Sequence, residues 1–182
     1  MLKRIYLTGF MTCGKSTIGP ILANTLGWEF VDLDDIIETA QKMKIVDIFE
    51  KHGEEYFRKI ESEALIEISK KEKIIVALGG GTIIKTENLE TMKRSGKIIY
   101  LKSTPDKIYE RIKTKLDRPL FYDLVVANKP KQDFIDRIEN LLSKRKDYYE
   151  RADYVFNTDH DSLGHTVDLI AKKIEKYTNE KN

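Results

Sequence analysis

The 182 residues contain a single cysteine, Cys13, which excludes an intrachain disulfide and fits a reducing, cytoplasmic setting. No apolar run approaches the 18 residues of a membrane span. Neither charge sign dominates. The 32 Lys and Arg stand against 30 Asp and Glu, and a net +2 is too small to argue for nucleic acid or an anionic membrane as partner. The first residues lead straight into a strand-like run, so no secretory signal is expected. Three histidines and one cysteine offer no zinc spacing, and no Ser/His/Asp or Cys/His set suggests a hydrolase. Trp28, His52, His160 and His165 read as structural or surface residues. There is no internal repeat, low-complexity linker or heptad seam, so a monomer is expected. What remains is one domain, 1–182, with 41% apolar residues and length enough to bury a core.

Against that background one stretch stands out. Gly9 to Thr17 reads G-F-M-T-C-G-K-S-T and matches G-x-x-x-x-G-K-[ST], the phosphate-binding loop of nucleoside triphosphate enzymes. The β-rich run Arg4–Thr8 precedes it, and Ile18, Ile21, Leu22 and Leu26 follow at helical spacing. A loop between a strand and a helix N-terminus presents unpaired N–H groups and the positive end of the helix dipole to a polyphosphate. Lys15 is then placed for the β- and γ-phosphates, and the Ser16 hydroxyl for Mg²⁺.

Downstream, Glu29 to Asp35 reads as a second strand ending in carboxylates. Asp32 is a candidate to hold magnesium, and capping of the next helix is the alternative for this cluster. The region from Ile36 to Lys71 is helical in pattern, with breaks near Lys44 and Gly53. Within it Arg58 and Glu61 share a helix face. They form either a surface ion pair or an arginine steered towards a substrate carboxylate. Lys73–Leu78 is a buried third strand running into Gly79-Gly80-Gly81, which is either a turn or a place where a ligand meets bare backbone. A helix over 87–94, a fourth strand over 97–101, a helix from Pro105 carrying Arg111, a long helix over 133–151, a short strand at 154–156 and a last helix complete the chain. Between Leu116 and Lys131 the pattern weakens, and this stretch, with Arg118, reads as a lid or a disordered segment. Alternating strands and helices predict an α/β fold with a parallel sheet covered on both faces, its ligands beyond the carboxyl ends of the strands.

In order along the chain, G-F-M-T-C-G-K-S-T (9–17), D-L-D (32–34), F-R-K-I-E (57–61), G-G-G (79–81), R-P-L (118–120) and K-R-K-D-Y-Y around Arg145 resemble the shikimate kinase family, nearly end to end. The resemblance implies a three-layer α/β/α P-loop kinase with a five-stranded parallel sheet in the order 2-3-1-4-5. It also implies a substrate-binding helical insertion over 33–61 and a lid over 112–131. Implied too are ATP as co-substrate, Mg²⁺, and phosphoryl transfer to the 3-hydroxyl of shikimate, towards chorismate and the aromatic amino acids. Carried over residue by residue, Gly9, Thr12, Cys13, Gly14, Lys15, Ser16, Thr17, Arg111 and Arg118 would hold nucleotide, and Ser16 and Asp32 the metal. Asp34, Arg58, Gly79, Gly80, Gly81 and Arg145 would hold shikimate. Lys15, Asp34 and Arg118 would act on the reacting groups, and Arg111 would lie against adenine, whose other contacts fall somewhere in 157–162. Two departures stand out. Thr12 occupies a place where the family has a small residue, and the stretch from Arg118 to Arg145 is long, leaving Arg137 as the alternative to Arg145. Cys13 has two readings, a thiol activated by Lys15 and the helix N-terminus or a small packed residue.

Overall fold

A computed structural model describes residues 2–116, 118–159 and 162–179. His160, part of the 157–162 stretch, and the tail at 180–182 lie outside the described residues. Short β-branched runs build the sheet: β1 (Arg4–Thr8), β2 (Glu29–Asp32), β3 (Ile74–Ala77), β4 (Lys97–Lys102) and β5 (Tyr154–Asn157). All pairings are parallel, in the order β2-β3-β1-β4-β5, which is the order expected. Tyr6 lies opposite Val76 on one side and Ile98 on the other.

Side chains of a strand alternate between faces, and here both faces are apolar. Tyr6, Ile74, Val76, Ile98 and Tyr100 point to one side. There they meet α2 (Leu33–Gln41), α3 (Ile45–Ile68) and α4 (Thr86–Ser95) through Leu33, Ile37, Phe57, Leu65, Leu89 and Met92. Ile5, Leu7, Ile75, Ile99 and Leu101 point to the other. There they meet α1 (Lys15–Leu26) and α9 (Leu163–Asn179) through Ile18, Leu22, Val167 and Ile170. Burying each such side chain is worth about 1.5–3 kcal/mol, which explains why the sheet interior carries no charge. A third apolar cluster, at the carboxyl end of the sheet, joins Phe10 to Ile108 and Ile112 of α5 (Pro105–Ile112).

The structure departs from the expected elements in three places. The second strand stops at Asp32, so Asp34 sits in the first turn of α2. Asp32 Oδ1 accepts from the Asp34 N–H (3.1 Å) and caps that helix. The helix expected over 133–151 is broken into α7 (Lys131–Ser143) and α8 (Lys146–Tyr149), with Arg145 at the break. The weak stretch before it is partly ordered. A 3₁₀ turn, Pro119–Phe121, leads into α6 (Tyr122–Val126), and both are anchored by Phe121 and Leu124 in the third cluster. One apolar residue per turn is enough to fasten so short a helix and too little to show as a period. The expected breaks near Lys44 and Gly53 are both present, the second as a non-helical Gly53 (φ 81°) inside α3. No helix among the described residues is long and apolar enough to cross a membrane.

Candidate active site

The parallel order brings the ends of β1, β2, β3 and β4 to one edge, and the predicted residues gather there. The loop after β1 turns through Gly9 (φ 146°), Thr12 (φ 61°) and Gly14 (φ 107°) before α1 begins. A Cβ on Gly9 would stand 2.5 Å from the Leu101 carbonyl and 2.7 Å from Cys13 Sγ, so only glycine fits. Lys15 Nζ donates to the carbonyls of Gly9 (2.9 Å) and Phe10 (3.2 Å), which folds the ammonium over the mouth of its own loop. Thr17 N–H donates to the Gly14 carbonyl, and the Ser16 and Thr17 side chains are exposed at the helix start.

Thr12 is a β-branched residue in the left-handed region, where such side chains are strained. Its hydroxyl is buried and has no hydrogen-bond partner among the described residues. Its carbonyl accepts from Arg111 Nη1 (2.9 Å), which also donates to Ser103 Oγ (3.3 Å), while Arg111 Nη2 donates to the Thr158 carbonyl (3.3 Å). Asp159 lies beside it (3.8 Å) and holds Ser103 Oγ and the Thr104 N–H. Burial pushes the Asp159 carboxyl up. These hydrogen bonds outweigh that and hold it below the usual carboxylate range. Arg111 therefore ties the phosphate loop to the ends of β4 and β5. Ser103 is a member of this group that sequence patterns did not mark, and Asp159 lies in the 157–162 stretch without having been singled out, because nothing in their spacing distinguishes them from ordinary loop residues. Cys13 is buried, with its sulfur in the apolar layer under the loop. That favours the packed reading over the reactive one, since a thiol shut from solvent is inert to reagents.

Opposite the loop, Ser16 Oγ donates to Asp32 Oδ2 (3.4 Å). Among the described residues no cluster of three His, Cys, Asp or Glu is built to hold a metal. One hydroxyl and one carboxylate at a phosphate loop fit a magnesium ion that keeps its waters and arrives on a polyphosphate. Burial raises the Asp32 carboxyl above its usual range despite the Asp34 N–H. Asp34 is pushed to about 6, first by burial, then by the negative charges of Asp32 and Glu61, with Lys15 opposing.

Three successive glycines receive three charged side chains. A Cβ on Gly79 would stand 2.9 Å from Asp34 Oδ1, one on Gly80 2.9 Å from Arg145 Nη1, and one on Gly81 2.9 Å from Arg58 Nη2. Bare backbone thus lets a carboxylate and two guanidinium groups close in on one short segment. Arg58 is held from below. Its Nη1 donates to Glu61 Oε2 (3.0 Å), while Nε and Nη2 share Glu54 Oε1 (3.2 and 3.1 Å). Glu61, 1% exposed, also accepts from Thr82 Oγ1 (2.7 Å). Arg145 lies over the Phe10 ring (5.9 Å). Tyr149, one helical turn on, donates to the Gly80 carbonyl (3.0 Å) and stacks on Tyr100 at 4.9 Å. Burial raises the Tyr149 hydroxyl above its ordinary value although Arg145 opposes it, so it remains a donor. Tyr149 and Thr82 were not marked by the sequence reading, although Tyr149 falls within the quoted K-R-K-D-Y-Y.

The alternative arginine, Arg137, is engaged elsewhere. It forks onto Asp123 (2.5 and 2.9 Å) and the Leu120 carbonyl, fastening α6 to α7. Arg118 opens the 3₁₀ turn, three residues before Phe121, whose ring meets Phe10 of the phosphate loop edge-on at 6.5 Å.

A family model described as "Shikimate kinase" matches residues 11–175. A curated relative from Chloroherpeton thalassium, named shikimate kinase, is 42% identical over 173 residues, 95% of this chain and 92% of that one. Among solved structures, shikimate kinase from Bacteroides thetaiotaomicron superposes with a TM-score of 0.86 at 32% identity, covering 96% of this chain and 99% of that one. Shikimate kinase from Acinetobacter baumannii in complex with shikimate gives a TM-score of 0.84 at 32% identity, covering 97% and 95%.

Proposed function

The chain belongs to the shikimate kinase family, and from that membership we propose that it transfers the γ-phosphoryl group of ATP to the 3-hydroxyl of shikimate. One observation carries the substrate assignment. Arg58, Arg145 and the Asp34 carboxylate converge on Gly79–Gly81, facing the phosphate loop across the sheet edge. Shikimate is a small ring with one carboxylate and three hydroxyls. Two guanidinium groups suit the carboxylate, and a fixed acceptor suits a hydroxyl.

The geometry supports the following roles. Arg58, braced by Glu54 and Glu61, and Arg145, laid on Phe10, would grip the shikimate carboxylate. Asp34, poised near neutrality, would accept the hydrogen bond of the reacting hydroxyl and take its proton as the bond to phosphorus forms. Lys15 would leave the loop carbonyls for the β- and γ-phosphate oxygens, and the loop N–H groups would hold the rest of the chain. Ser16 and Asp32 would hold Mg²⁺, which neutralises phosphate charge when bound. Arg111 would fix the base side of the loop. Arg118, in the segment 112–131 that would act as a lid, would approach the transferred group. Residues 33–61 would form the shikimate side. Little covalent chemistry is left to the protein, so catalysis rests on positioning and charge. The same reading carries a monomer working in the cytoplasm, which the lone, buried Cys13 suits.

The direct test is coupled ADP release with ATP and Mg²⁺, with and without shikimate, run beside gluconate and nucleoside monophosphates. Release that requires shikimate is expected. Turnover on another acceptor, or release indifferent to all of them, would overturn the proposal.

Gly80→Ala offers a second check. The added methyl would crowd the tip of Arg145 (2.9 Å), a flexible side chain that can swing away, and would meet the Tyr149 hydroxyl at ordinary contact distance (3.8 Å). Folding should therefore survive, with Tm changed by no more than about 4 °C, equivalent to about 1 kcal/mol. Shikimate affinity should fall at least about tenfold, the equivalent of one displaced hydrogen-bonded contact. Unchanged affinity in calorimetry would remove Arg145 from the carboxylate site.

A further inference from the structure

At the opposite pole of the sheet, where strands begin rather than end, lies a hollow of about 420 Å³. We infer that it binds a small phosphate-bearing anion. Five cations line it: Lys3 and Arg4 from the start of β1, Lys93 and Arg94 from the last turn of α4, and Lys97 from the start of β4. Among the described residues no carboxylate lines it. Lys3 and Lys97 are paired outward with Glu72 and Asp153. Arg4 donates to the Ser95 carbonyl (2.9 Å), and its Nε is shut from water with no acceptor. Lys93 and Arg94 are exposed and make no ion pair or hydrogen bond among the described residues. Among the described residues, Arg4, Lys93 and Arg94 are left without a carboxylate partner.

Basic residues in the last turn of a helix commonly answer its dipole. That accounts for Lys93 and Arg94. It does not account for Arg4 and Lys97, which come from neighbouring strands and face the same hollow. The floor is rigid. A Cβ on Gly96 would stand 2.6 Å from the Arg4 carbonyl, so the turn into β4 lies flat on β1, and the Tyr6 hydroxyl is bonded to Ser95 Oγ (2.7 Å). The Tyr177 ring closes one side beneath Lys97. A concave floor with the free fork of Arg94, the part-engaged guanidinium of Arg4 and a surplus of charge is what a phosphate dianion selects. The volume lies in the range of small-molecule sites, roughly 300–1,000 Å³, and not of a polymer groove. The site is separate from the reaction centre, since β1 spans the distance between Arg4 and the phosphate loop.

The probe is inorganic pyrophosphate, titrated into the full chain with the nucleotide and shikimate sites saturated by ADP and shikimate. One further saturable site is expected. The Lys93→Ala/Arg94→Ala pair should weaken it at least tenfold and leave kcat and both KM values for the phosphoryl transfer unchanged. Arg4→Lys, which keeps charge but loses the fork, should also weaken it. Absence of a further site, or a site indifferent to these substitutions, overturns the inference. Retention of a single-stranded oligonucleotide in preference to pyrophosphate, lost in the same variants, would also overturn it in favour of a polymeric partner.

Discussion

Asp34→Asn should lower kcat by about 10²–10⁴, the range for removing a positioned general base, and at the same time make the protein harder to melt. The two effects share one cause. Burial, then Asp32 and Glu61, push the Asp34 carboxyl from 3.8 to about 6. Between those values the folded state holds a proton that the unfolded chain has released. Stability therefore falls as pH rises through that window, and above pH 6 the ionised carboxylate is a standing cost. A shift of about two pKa units corresponds to on the order of 3 kcal/mol. Asparagine has the same shape and no charge. In EDTA without nucleotide at pH 8, its Tm should exceed that of the parent by about 6–12 °C, by the scaling for a domain of this size. At pH 4.5 Asp34 is mostly protonated in the folded state but not in the unfolded chain, so the gap should shrink to about a third, and it closes only below pH 3.8, where both states hold the proton. A variant that is inactive and no more stable at pH 8, or one whose gain is undiminished at pH 4.5, would show that the carboxylate is not strained in this way. A functional group kept at the expense of stability is the usual trade at an active site.

The sequence made the fold legible because its signals are redundant. Ile74-Ile75-Val76 can only be a strand buried on both faces, and the glycine–lysine–serine of the phosphate loop sits between a strand and a helix as its chemistry requires. The meeting of Asp34, Arg58 and Arg145 on three glycines was legible only in part. Order along the chain placed them on the same edge. Which glycine receives which side chain depends on where helices stop. Asp34 stands in a helix and not in a strand because Asp32 caps that helix. Arg145 faces Gly80 because the helix breaks after Ser143, and no proline or glycine announces that break. Tyr149 sits where a packed aromatic and a hydrogen-bond donor are both needed, and a tyrosine in a helical run carries no mark of such a double role. Thr12 shows the opposite limit. Its left-handed backbone is strained and its hydroxyl unpartnered among the described residues, and a glycine there would be read as ordinary.

Arg58→Ala should be the variant that separates shikimate binding from nucleotide binding. The guanidinium makes three hydrogen bonds to two glutamates and presents its remaining edge to Gly81. Truncating a buried, hydrogen-bonded charge costs about 2–5 kcal/mol of affinity for its partner. The Kd for shikimate should therefore rise by about 10² or more, with the Kd for ADP nearly unchanged. The same truncation strips Glu61 of its cation and leaves a carboxylate of 1% exposure with only the Thr82 hydroxyl. Loss of one partner from a fully buried pair costs about 3–5 kcal/mol. Arg58 is itself 31% exposed, so the lower end or less is expected here. Adding Glu61→Gln removes that orphaned charge and should restore most of the melting temperature while leaving shikimate affinity as poor as before. Arg58→Lys keeps the charge but not the fork, and should recover only part of the affinity. If the Arg58→Ala/Glu61→Gln protein regained shikimate binding along with its stability, Arg58 would be a brace for α3 and not a ligand for the substrate. The carboxylate would then fall to Arg145 alone.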